Sequence, residues 1–180
     1  MSEKIDCQII AEKLILNGTK DICISDSMGK NIGIRKGRDM NALASFWKTA
    51  AEELVGLSIE DLHQVTLLVE SASMKADEGI IKNGGRFNCE AGANKKTCNL
   101  LTNIICYDIL NRLTLNEEED EKILEGFSND ILRGIKTCIT NQIANSKFLK
   151  IEKDEKYYNE LLQIVTDFRI ARANKALQSI

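Results

Sequence analysis

The chain contains no proline in its 180 residues, and this absence constrains its fold more than any other feature. Proline ends or kinks a helix more strongly than any other residue, because its ring fixes φ and removes a backbone hydrogen-bond donor. Without proline, helices must begin and end at side-chain caps and at glycine or asparagine. The sequence therefore favours long helices that end only at such residues.

Apolar residues recur with helical spacing over most of the chain. The spacing i, i+3, i+4 and i+7 is clearest in Leu43, Phe46, Ala50 and Leu54, which share one face of an amphipathic helix. The same pattern predicts helices over residues 3–16, 41–55, 59–78, 95–114, 117–146 and 156–177. We therefore expect a mainly α fold, a helical bundle of about five to six helices.

Residues 21–35 carry the β signal of the sequence. Ile22 and Ile24 alternate with polar residues, as do Ile32 and Ile34, and a glycine-containing turn separates the two pairs. The pattern predicts a small N-terminal β-hairpin. Because an isolated two-stranded hairpin is marginally stable in water, we expect it to pack on helices or to extend the sheet of a partner.

Length and composition indicate a single globular domain over residues 1–180, with the hairpin as an appendage. Hydrophobic residues make up 43% of the chain and charged residues 28%, which is typical of folded proteins. The net charge of −3 argues against nucleic acid and anionic membranes as partners. Neither an apolar signal-peptide core nor a long apolar run is present, so we expect a cytoplasmic protein without membrane association.

The cysteines indicate a reducing compartment. Cys106 follows two isoleucines, a context in which a thiol acts as a small buried hydrophobe. No C-x-x-C pair occurs, and the spacing of Cys89, Cys98 and Cys106 does not match a zinc knuckle. The prediction is reduced thiols, no metal and no cofactor, with a disulfide framework and a zinc site as the alternatives.

The segment 79–98 is the candidate ligand site. The helix pattern leaves it as a long loop, in which Gly84 and Gly85 allow the backbone to approach a ligand closely. Arg86, Lys95 and Lys96 add positive charge near the start of the next helix, where phosphate or carboxylate groups bind favourably. The favoured interpretation of this segment is a solvated connector, and a site for a small anionic ligand is the alternative.

Cys89 lies between these basic residues. Nearby positive charge favours a thiolate, so Cys89 is the candidate nucleophile of an enzyme that lacks a known motif. Neither a Walker A string nor G-x-G-x-x-G occurs in the chain, so no nucleotide-binding signature supports this interpretation.

Two further groups are candidate interface residues. The basic cluster of Lys30, Arg35, Lys36 and Arg38 follows the predicted hairpin, where it would contact an acidic partner or protect an edge strand from aggregation. Trp47 follows Phe46 on one helix, about 100° further round, so one ring faces the core and the other lies nearer its boundary. A partly exposed Trp47 would anchor an interface, and a core position is the alternative.

Charged residues near helix ends have a structural explanation. Asn116 is a suitable N-cap, and the acidic run 117–121 occupies the following first turn, where the helix dipole favours anions. Arg169, Arg172 and Lys175 lie towards the end of the last predicted helix, where cations satisfy the dipole and the free carbonyls. Neither group is predicted to bind a ligand.

The predicted function is that of a non-enzymatic interaction or accessory protein: an inhibitor, an immunity-type protein or an assembly subunit. We expect a protein partner and a homo-oligomer, because the hairpin and one aromatic residue need to be covered. A sensor of a small anionic ligand at 79–98 and an enzyme using Cys89 are the alternatives. A short, acidic, proline-free chain without catalytic signatures is also typical of phage or mobile-element proteins.

Overall fold

The computed structural model describes residues 6–20, 40–87 and 89–179, and it is helical over most of them. Seven helices occur in these ranges, and no residue within them forms a strand. They are α1 (Cys7–Gly18), α2 (Met40–Val55), α3 (Ile59–Lys82), α4 (Glu90–Arg112), α5 (Glu117–Leu124), α6 (Asn129–Leu149) and α7 (Glu152–Gln178). The predicted mainly α fold is confirmed, whereas the predicted hairpin at 21–35 lies outside the described residues.

The chain divides into two compact units, Met1–Ile105 and Cys106–Ile180, with the boundary inside α4. In the first unit, α1 packs against α2 and α3. Its core is formed by one face of each helix, including Leu14, Leu54, Leu62 and Leu101, all at most 2% exposed. Burial of this kind contributes roughly 1.5–3 kcal/mol per large apolar side chain.

The second unit is built mainly on the packing of α7 against α6 and α5. Leu124, Ile135, Ile139, Leu161 and Val165 are fully buried there. The polar ends of the helices are satisfied locally, since the Ser128 hydroxyl accepts from the backbone N–H of Ile131 at 3.2 Å and caps α6. The prediction that residues 1–180 form one domain remains a prediction.

Three predicted helix boundaries are wrong: the end of α3, the missing break between α5 and α6, and the start of α4. Gly79 does not end α3, which continues to Lys82. A Cβ at Gly79 would lie 2.7 Å from the Ala91 Cβ, so this glycine allows α3 and α4 to approach closely. The turn follows at Gly84 and Gly85, whose φ values of 68° and 74° suit glycine.

The predicted 117–146 helix is two helices, α5 and α6, because Gly126 and the Ser128 cap interrupt the pattern. At the other end of the long predicted loop, α4 begins at Glu90 instead of residue 95. The connection between α3 and α4 is therefore much shorter than the predicted segment 79–98. Most of the proposed loop residues consequently belong to helix ends.

Candidate functional site

The outer face of α3 carries three exposed large apolar side chains. Ser58 caps this helix by accepting from the Asp61 N–H at 3.1 Å, and Leu62, Val65 and Val69 pack inward. On the opposite side, Leu67, Met74 and Ile81 are 50%, 63% and 74% exposed. An outer face is ordinarily polar, so apolar side chains here are not explained by the core of their own unit.

These three residues, named here the exposed row, follow each other at intervals of seven positions. Seven residues make nearly two helical turns, so the three side chains lie one above another over about 21 Å. Scattered exposed apolar residues are normal on proteins, but these three are aligned in one strip at intervals of about 10.5 Å, with polar residues between them. Such a strip is the geometry that a partner helix covers.

Acidic residues flank the exposed row. Glu78 lies to one side and Glu70 to the other, each about 40° from Met74 in helical projection, and Glu60 continues the row at its N-terminal end, seven positions before Leu67. Across its whole length, α3 carries five carboxylates, two lysines and one histidine. The apolar strip therefore lies in a negatively charged setting.

A groove of about 620 Å³ adjoins the row at the N-terminal half of α3. Leu67 belongs to both the row and the groove. The groove is lined by residues from the start of α1 and from α3: Asp6, Cys7, Gln8, Asp61, Gln64, Leu67 and Leu68. We call it the acidic groove, since Asp6 and Asp61 supply its charge and the leucines its apolar wall.

The two carboxylates of the acidic groove are fixed by helix capping. Asp6 accepts from the backbone N–H groups of Gln8 and Ile9 at 3.0 and 3.2 Å, which starts α1. Asp61 accepts from the Ser58 hydroxyl at 2.8 Å. Because backbone or cap contacts hold both carboxylates, the positions of their negative charges are fixed.

The Cys7 thiol lies in the acidic groove beside the carboxylate of Asp61. It lies 3.6 Å from Asp61 Oδ1 and donates to it. Burial raises the pKa of the Cys7 thiol, and the hydrogen bond and charge of Asp61 and the charge of Asp6 raise it further. Cys7 is therefore a protonated thiol at neutral pH and not a candidate nucleophile.

The predicted anion-site residues lie on the turn between α3 and α4 and on the first two turns of α4. Lys95 donates to the Asp77 carboxylate and, at 2.9 Å, to the Ser73 hydroxyl, so its charge is used within the fold. Arg86 and the two turn glycines are exposed, and Lys96 is half-buried with a contact of its own. The Cys89 thiol donates to the Arg86 carbonyl oxygen at 2.9 Å.

A second cavity, of about 580 Å³, lies between α1, α3 and the start of α4. Of the predicted ligand residues, Cys89 alone lines it, beside Lys75, Asn83 and Asn94. No pattern in the sequence indicates these three residues, because only the packing of the helices brings them together. Binding of an anionic ligand by the residues predicted in segment 79–98 remains a prediction.

Among the predicted interface residues, Trp47 is half-buried beside the buried Phe46, so the two rings divide between boundary and core as expected. The basic cluster of Lys30, Arg35, Lys36 and Arg38 lies outside the described residues. The exposed row is not among the predicted site residues, because the apolar stripe that predicts α3 lies on its inward side. Its signal was a second apolar recurrence, at an interval of seven, on the other side of the helix.

Five cysteines in the described ranges are free thiols. Two of them adjoin, since a hydrogen bond with Cys106 lowers the pKa of the Cys138 thiol against the effect of burial. Within residues 6–20, 40–87 and 89–179, no group of three histidine, cysteine or acidic side chains could hold a metal ion. None of the helices over these residues combines the length and apolarity needed to span a bilayer.

Comparison of the chain with protein-family models, with curated proteins and with solved structures gave no match. The function is therefore inferred from the surface of the molecule itself.

Proposed function

We propose that this chain is a non-enzymatic interaction protein that binds a helical segment of a protein partner. The surface used is the docking face, defined as the exposed row together with the acidic groove. Both belong to α3 and to the start of α1, which pack together in one unit. The proposal is that of an accessory protein whose own fold presents one face for a partner to cover.

The exposed row carries this proposal. Complete burial of a leucine, isoleucine or methionine side chain contributes roughly 1.5–3 kcal/mol. Leu67, Met74 and Ile81 are at least half exposed, so covering them makes available about 1–2 kcal/mol each. The free energy gained by covering the three side chains suits a specific interface of modest affinity, before the cost of association is subtracted.

The contacts of Cys89 favour binding over catalysis. Its thiol hydrogen is donated to a backbone carbonyl oxygen, which is not a base that could activate it as a nucleophile. Cys7 is held protonated by its surroundings. The two partly exposed thiols of the described residues therefore lack the activating contacts of a catalytic cysteine.

Photo-crosslinking in cells tests the proposed function. A photoreactive amino acid at position 74 is expected to crosslink one polypeptide strongly, because a partner helix covers this position. The matched control carries the same group at Asn141, an exposed residue of α6, which is a helix that contributes no residue to the docking face. Equal, diffuse crosslinking at both positions would contradict the proposal.

A further inference from the structure

We propose that the docking face receives an amphipathic helix whose apolar strip is flanked by lysine or arginine. This inference rests on the proposed function and specifies its partner. It follows from three features of the surface: the spacing of the exposed row, the acids on both sides of that row, and the charge of the adjoining groove.

The spacing selects a helix as the occupant. Side chains at intervals of seven on α3 form a straight strip, and a second helix covers such a strip when its own apolar residues repeat at about 3.5-residue intervals. The row spans about 21 Å, which corresponds to roughly 14 residues of partner helix. A partner of four turns is therefore long enough to cover Leu67, Met74 and Ile81 together.

The charges select a basic helix. Glu78 lies on one side of the row and Glu70 on the other, in positions that face the flanks of a covering helix, and Glu60 lies at the N-terminal end of the row. Long basic side chains reach across such an edge while their stems cover apolar surface. At the N-terminal half of α3, the acidic groove adds the negative charges of Asp6 and Asp61, which attract a lysine or arginine head group.

The same charges argue against two other occupants. If a second copy packed its α3 antiparallel against this one, centred on Met74, the acidic flanks of the two copies would face each other, and like charges so placed destabilise the pair. An anionic lipid surface would be repelled by the same carboxylates. A basic helix is the occupant that both the apolar and the charged parts of the face accommodate.

Peptide binding tests the inference on the full chain. The probe is a synthetic 18-residue helical peptide with leucine at heptad core positions and lysine at the flanking positions, labelled for fluorescence anisotropy. A second peptide replaces every flanking lysine with glutamate. We expect the lysine peptide to bind at least tenfold more tightly than the glutamate peptide, and the difference to shrink as salt is raised.

Two charge-reversal variants separate a specific site from general attraction. Glu60→Lys with Glu78→Lys should weaken binding of the lysine peptide at least tenfold. Glu121→Lys with Glu125→Lys is the matched control, because both residues are exposed on or next to α5 and the net charge changes equally. This control should change binding less than twofold. Circular dichroism checks that both variants are folded.

Equal binding of the two peptides, or an equal loss in the two variants, would overturn the inference. Concentration-dependent dimerisation that Met74→Gln removes would replace the basic helix with a second copy and would also overturn it. The proposed function fails separately. If position 74 crosslinks a partner but the peptides are not distinguished by charge, the interaction function stands and the basic-helix inference falls.

Discussion

Asp120→Ala is expected to lower the free energy of unfolding by about 3 kcal/mol, since each lost hydrogen bond to a charged acceptor costs roughly 1.5–3 kcal/mol. The Asp120 side chain is completely buried. It accepts from the backbone N–H groups of Thr114 and Leu115 at 2.8 and 3.1 Å and from the Thr114 hydroxyl at 3.2 Å. Leu115 has a φ of 70°, an unfavourable conformation for leucine that these bonds hold in place.

Urea denaturation measures this effect. Glu121→Ala is the matched control, because Glu121 is the exposed neighbour on the same helix and should change stability by no more than about 0.5 kcal/mol. Asp120→Asn keeps one acceptor oxygen and should fall between the two. A loss below about 1 kcal/mol for Asp120→Ala would show that the turn before α5 does not depend on this carboxylate.

Arg172→Met is expected to destabilise the chain by about 2 kcal/mol. The Arg172 guanidinium donates to the carbonyl oxygens of Phe127, Glu125 and Leu124 at 2.6, 2.8 and 3.2 Å, which closes the C-terminal end of α5. It also lies 4.8 Å from the centre of the Phe168 ring. Methionine keeps much of the packing but leaves these carbonyl oxygens without the donor.

Thermal and urea unfolding of two comparison variants isolate the role of the guanidinium. Arg169→Met removes an equal charge from the same helix and should have little effect. Arg172→Lys keeps the charge but cannot span three carbonyl groups with a planar fork, so it should recover only part of the loss. Equal stability of Arg172→Met and Arg169→Met would show that the arginine acts through charge alone.

The helices of the chain could be predicted from the sequence, because burial of one apolar face per helix dominates the folding of such patterns. The N-caps Asn116 and Ser58 were also readable, and their side chains accept from Glu119 and Asp61 N–H groups as expected. The end of α3 could not be predicted from the sequence, because a glycine at the position of Gly79 usually indicates the end of a helix. Its role is to admit Ala91 of α4, which only the packed structure shows.

Arg172 and Asp120 show a second limit of sequence reasoning. Both were explained by the dipole of their own helix, yet each acts mainly on backbone outside it: Arg172 on the end of α5, and Asp120 on the turn that precedes its helix. The charge of a residue can be seen in a sequence, but the groups it reaches depend on tertiary contacts. The helix dipole therefore accounts for the charge of both residues, but it does not predict which backbone groups their side chains contact.

The candidate site could likewise be predicted only in part from the sequence. The exposed row is visible in the sequence as Leu67, Met74 and Ile81, once the outer side of α3 is considered as well as the inner side. The acidic groove is not visible, because it joins Asp6 and Asp61 from two helices that are distant in the chain. Lys95 was a sound electrostatic candidate, but Asp77 on the neighbouring helix neutralises it.

Hydroxyl-radical footprinting in cells tests most directly the central claim that the outer face of α3 is reserved for a partner. Met74 is the readout, and Phe148, which is 85% exposed at the end of α6, is the internal control. Relative to the purified chain, modification of Met74 in cells should fall several-fold while that of Phe148 stays the same. Unchanged modification of Met74, or protection of Phe148 instead, would contradict the claim.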